Sequence, residues 1–213
     1  MDDAERLTEL LQRKPEAGFS AYDLASKAYY RSSRGHHHDA ALLFEAAGRR
    51  AEAEFGDGSE AKRNDAGVPI NQALNHWARA GFAWVKAEQM DRALPLLRRA
   101  AHADWRAAGL DHDLVTAGAA WTHLVRHAAS EGRDAFLSTY AQASEACATL
   151  AIGFPLGLPH VMALAELAVA LDCPEIAAPL VTQLRATKPM KRELKAFLRD
   201  LEARANAGAG AAG

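Results

Sequence analysis

The residues able to do chemistry are few, and most are histidines. His36-His37-His38-Asp39 sets three imidazoles before an acid. Adjacent helical side chains point in different directions, so three neighbouring His cannot converge on one ion. Asp39 instead falls in the first turn of an expected helix, where the dipole favours an acid. His123 and His127 have the spacing of a two-His metal face on a helix. No Glu follows the first His as in a metalloprotease helix, and a third ligand from His102 or His112 would need separate hairpins to stack closely. The simpler expectation is one groove-facing His and one solvent-facing His at a helix end. Asp111-His112-Asp113 lacks a nucleophile in a G-x-S-x-G or Cys–His setting, and N-capping by either Asp accounts for it. Cys147 and Cys173 lack metal-ligand spacing and make no disulfide framework. Gly56-Asp57-Gly58 lacks the Lys and the preceding strand of a phosphate loop. No metal, cofactor or catalytic residue is therefore expected, and the reading is of a non-enzyme.

The elements that carry these residues read as helices. The chain has 213 residues, and 49% are hydrophobic, which suffices for one continuous core. Ala dominates that fraction, lets helices approach closely and favours helix. No segment alternates apolar and polar as a strand would. The fold class expected is all-α. A formal net charge of −2 argues against a nucleic-acid binder. The start, MDDAERLTELL, is acidic and amphipathic and resembles neither a signal nor a transit peptide. No stretch approaches the roughly 20 apolar residues that span a bilayer. A cytoplasmic, non-membrane protein is expected, and the excess of Arg over Lys with abundant Ala suggests a bacterial source.

Two segments look alike. Trp77-Ala-Arg-Ala80-Gly81-Phe-Ala-Trp84 reads W-x2-A-G-x2-W, and Leu114-Val-Thr-Ala117-Gly118-Ala-Ala-Trp121 reads L-x2-A-G-x2-W. On a helix these offsets share one face, with a small pair between large residues. Ala93-x3-Leu97-x2-Ala100 follows Trp84. This resembles the tetratricopeptide repeat, whose pattern is W-x2-L-G-x2-Y, then A-x3-F, then P. Weaker copies follow: Ala40-x3-Phe44-x2-Ala47 after Leu24 and Ala28, and Val161, Leu164, Ala165 and Ala168 before Ala177 and Val181, with Pro189 at the family's terminal proline. Pro95 and Pro179 share a repeat position, which the sequence reading places near a helix start. The spacing is unequal and longer than the family's ~34 residues, and the long-helix pattern also looks like soluble NSF attachment proteins.

The resemblance implies a right-handed α-solenoid of about four hairpins, at about 20–55, 70–107, 110–150 and 158–187. Flanking helices are expected at about 2–13 and 190–205. Leu194, Phe197, Leu198 and Leu201 should make the last one a cap. Residues 1–205 read as one domain, and 206–213 as a disordered Gly/Ala tail. In this family the first helices of the hairpins line a concave surface. Carried over, that surface comprises Tyr22, Tyr29, Asn75, Phe82, Lys86, His112, Thr122, His123, Met162 and Glu166. The function implied is an interaction scaffold or adaptor for a protein or peptide, of chaperone or toxin-neutralising type. A ligand- or peptide-sensing regulator is the alternative, and a His-cluster metalloenzyme a more distant one.

Overall fold

The structure is a computed structural model that describes residues 2–12, 14–188 and 191–211. Among these, ten α-helices follow one another: α1 (Asp3–Leu10), α2 (Ala21–Ser32), α3 (His37–Phe55), α4 (Ala73–Lys86), α5 (Met90–His102), α6 (Leu114–Glu131), α7 (Arg133–Thr149), α8 (Leu158–Ala170), α9 (Pro174–Ala186) and α10 (Arg192–Ala211). The one isolated β-bridge among them joins Arg63 to Pro69 in the loop after α3. The fold is all-α, and sequence neighbours pack together: α2 on α3, α3 on α4, α4 on α5, and α8 on α9. No helix among the described residues is long and apolar enough to cross a membrane.

A recurring helix ending builds the hairpins. After α2, Gly35 adopts φ 80° and the His36 N–H donates to the Arg31 carbonyl at 3.0 Å. After α4, Glu88 adopts φ 59° and Gln89 N–H reaches the Trp84 carbonyl at 3.0 Å. After α8, Asp172 adopts φ 52° and Cys173 N–H reaches the Ala168 carbonyl at 2.8 Å. Each is a Schellman-type end, which satisfies carbonyls the helix leaves orphaned. The next residue opens the following helix with ψ 65°, 69° and 71° in turn. Pro95 and Pro179 lie inside α5 and α9, deeper than the helix start expected from the sequence. Both are exposed, so water can serve the carbonyl that each leaves without an amide donor.

The residues form two compact units, Met1–Trp121 and Thr122–Gly213. In the first, large residues interleave with small ones. Trp84 and Leu97 are fully buried, as are Ala40, Ala47, Ala80, Ala93 and Ala100. A Cβ on Gly81 would stand 3.1 Å from Leu97 Cδ2 and 3.3 Å from Leu96 Cβ, so α4 and α5 meet at that glycine. A Cβ on Gly48 would stand 2.7 Å from Trp77 Cε2, so α3 and α4 meet there more tightly still. The Trp84 Nε1–H donates to the Glu45 carboxylate, and the Arg92 guanidinium lies 3.6 Å over the Trp84 ring. The buried Asn71 ties α3 to α4: its Nδ2 donates to the Phe55 and Gly56 carbonyls, and its Oδ1 accepts from Ala73 N–H at 3.1 Å.

Helix α1 packs on α3. Arg6 donates twice to Asp39, through Nε and Nη2, both at 2.7 Å. Asp3 pairs with His38 and Arg92. Asp39 is thus a buried anchor for α1 as well as a first-turn acid, and the Arg6 hydrogen bond holds its carboxyl below the usual range.

In the second unit, α10 packs on α8 and α9 with Leu194, Leu198 and Leu201 buried and Phe197 half-buried. Its backbone is helical to Ala211. Pro189 and the last two residues lie outside the described residues.

Candidate protein-binding surface

The exposed aromatics cluster on α2. Tyr22, Tyr29 and Tyr30 are 79%, 51% and 54% exposed. The 3.6 period explains this: Ala21, Leu24, Ala25 and Ala28 take the buried face, so Tyr22 and Tyr29, seven apart, share another. Ser20 starts the helix with a capping box, its hydroxyl accepting from Asp23 N–H while the Asp23 carboxylate accepts from Ser20. That arrangement holds the Asp23 carboxyl below its ordinary range. Large exposed aromatics in a cluster mark interaction surfaces more often than solvated faces.

Helix α4 supplies the neighbouring polar row. Asn75, Arg79, Phe82 and Lys86 recur at helical spacing, while Trp77, Ala80, Gly81 and Trp84 go to the core. Arg79, absent from the sequence-derived set, lies with its guanidinium 5.8 Å from the Tyr29 ring centre, and so joins α4 to α2. Its position, four after Asn75 and three before Phe82, was the available signal. The Tyr29 ring also packs edge-on against Phe44 at 5.0 Å. Arg34 lies over Tyr30 at 4.2 Å, and Lys27 over Phe19 at 5.4 Å. Asn75 Nδ2 donates to Asp113 Oδ2 at 2.6 Å and to Gln72 at 3.0 Å. The exposed His112 stands 3.1 Å from that same Asp113 oxygen. Asn75 Oδ1 and Arg79 Nε are buried atoms with no hydrogen-bond partner.

The other members of the expected set differ in kind. Phe82 is half-buried and Lys86 exposed. Thr122 is 0% exposed and offers no surface, contrary to its placement in the groove. The reason is that α6 buries Ala117, Ala120, Trp121, Leu124, Val125 and Ala128, too broad a face for residue 122 to escape. In the second unit, His123 is half-buried with its ring 6.3 Å from His160, whose imidazole is pushed below its usual range by burial and then by Arg126. Met162 is half-buried. Glu166 is exposed but pairs with Arg204 of α10 at 3.0 Å.

The remaining candidates for chemistry are occupied by packing. His38 sits 5.0 Å edge-on to Trp84, and His102 sits 4.7 Å edge-on to Trp121. His127 lies 3.5 Å from Glu131. No group of three His, Cys, Asp or Glu among the described residues could hold a metal ion. The imidazole of His76, outside the expected set, is pushed down to about 4 by desolvation. Burial pushes the Cys147 thiol up to about 11 and raises Cys173 as well, which disfavours the reactive thiolate.

No family model, curated protein or solved structure matches this chain.

Proposed function

We propose that the chain is a non-enzymatic interaction scaffold of the cytoplasm, a tetratricopeptide-like right-handed solenoid that holds a protein or peptide on the α2–α4 face of its first unit. The observation that carries this reading is the exposure of Tyr22, Tyr29 and Tyr30 on one helix. Tyrosine brings contact area and a polar tip at low conformational cost, and Tyr and Arg dominate binding hot spots. The repeated hairpin ending supports the solenoid part, because a common turn propagates a common stacking geometry. Immobilised protein should capture a stoichiometric partner from the cytosol of its own cell. Tyr22→Ala with Lys86→Ala should abolish that capture and leave the melting temperature unchanged, since both side chains are exposed. Undiminished capture by this variant would place the partner on another face.

A second reading, a ligand-sensing regulator, is favoured by a cleft of about 790 Å³ in the second unit, lined by Ala168, Val169, Ala177, Val181 and Leu201. Its volume suits a small organic ligand. Release of a captured partner by a metabolite extract would support this reading over a simple scaffold.

A further inference from the structure

From the charges around the exposed tyrosines, and resting on the scaffold reading above, we infer that the α2–α4 face selects an acidic peptide segment. Helix α4 carries no acidic residue, and α2 carries only Asp23, which its capping box already engages. Against this stand Arg34, Arg79 and Lys86. Arg34, Arg79 and Lys86 form no ion pair among the described residues. Arg31 is different, lying 3.7 Å from Asp39 and so partly neutralised. Arg34 is stacked on Tyr30 at 4.2 Å, a placement that suits a guanidinium edge to bidentate contact with a carboxylate, and Arg79 lies 5.8 Å from the Tyr29 ring centre.

A second, independent observation points to a polypeptide rather than to any polyanion. Asp113 accepts from Asn75 Nδ2 and so fixes which way the carboxamide faces. The Asn75 Oδ1 is left without a donor. A buried acceptor with no partner is costly, and the complement it lacks is an N–H group. Arg79 Nε, one turn along, is a donor lacking an acceptor. Both atoms are closed to solvent in the free chain, so a peptide reaches them only as the side chains covering them move aside; an extended backbone then offers N–H and C=O groups in alternation to both, while its carboxylates meet Arg34 and Lys86. A nucleic acid would press a dense row of phosphates onto a chain of net charge −2, with Asp113 among the groups it meets.

The test is selection of binders from a random peptide library displayed against the intact protein, with a single-stranded oligonucleotide as competitor. The expected result is enrichment of Asp and Glu over Lys and Arg among the selected peptides. A selected peptide should lose about tenfold or more in affinity to Arg34→Glu with Lys86→Glu, and weaken as salt rises. Both substituted side chains are exposed, so the variant keeps its fold. Binders without acidic enrichment, or binders indifferent to that variant, would overturn the acidic preference while leaving the scaffold reading intact. Displacement of the peptides by the oligonucleotide at lower concentration would replace the peptide with a nucleic acid. A library that yields no binder at all would overturn both readings.

Discussion

Gly48→Ala sets two effects of known size against each other. Inside a helix, Ala is better than Gly by about 1 kcal/mol, so on propensity alone the substitution stabilises. At Gly48, however, the added methyl would meet three indole atoms of Trp77, at 2.7, 2.9 and 3.1 Å. Trp77 is only 8% exposed, and its ring is a rigid plate with the Arg99 guanidinium 5.1 Å from its centre. It cannot bend aside, so α3 and α4 must separate. Overpacking of this kind costs about 1–3 kcal/mol. The net expectation is a loss of up to about 2 kcal/mol, or up to about 8 °C in melting temperature for a chain of this size. Gly81→Ala is the internal control. Its contacts at 3.1–3.3 Å are with Leu97 and Leu96, and the Leu97 side chain is flexible, so propensity and crowding should nearly cancel. In a Trp77→Phe background the Gly48→Ala penalty should shrink, because the contacted atoms belong to the fused part of the indole. Thermal unfolding of the four variants checks all three statements. A Gly48→Ala protein that melts higher than its parent refutes the tight α3–α4 contact.

Two further perturbations concern charge. The imidazole of His76 titrates near 4 in the fold against 6.5 when unfolded, so the fold prefers it neutral. The resulting stability is fully present above pH 6.5 and is lost as pH falls towards about 4, up to about 3 kcal/mol; His76→Gln should flatten urea-unfolding stability across that window, and an unchanged slope would contradict the burial. Arg6→Ala should cost about 1–3 kcal/mol by leaving the buried Asp39 carboxylate without its bidentate partner. Because Asp39 is depressed by Arg6, its contribution exists above its unfolded value and disappears on acidification, so the variant should also show less acid sensitivity from this site. An unaltered denaturation midpoint would show that α1 is not anchored there.

Much of the helical layout was legible because Ala, Leu and Trp recur at 3.6 spacing and because Gly and Pro cluster at breaks. Gly81 stood out for sitting in a repeated frame with Trp77 and Trp84. Gly48 did not, since its partner is a single indole on the next helix and no spacing along the chain encodes that. Asn71 was equally hidden: its three bonds run to backbone groups on both sides of a loop. On the candidate surface, α2 and α4 were readable from periodicity, and Arg79 could have been added by the same rule. Thr122 was misplaced because periodicity tells which residues share a face but not how many faces a helix buries. The pinned carboxamide of Asn75 depends on Asp113, far along the chain, and only three-dimensional proximity reveals it.

The hairpin endings bear on how such a chain can change over time. The same hydrogen-bonded bend is made by Gly35, by Glu88 and by Asp172. What is kept from one hairpin to the next is thus a pattern of amides and carbonyls, which every residue type but proline can supply. The letters at the bend are free to wander, held only by a strain of about 1–2 kcal/mol where they are not glycine. A turn specified in this manner is held by backbone geometry rather than by its alphabet, so a substitution at the bend leaves the hairpin standing at about that cost.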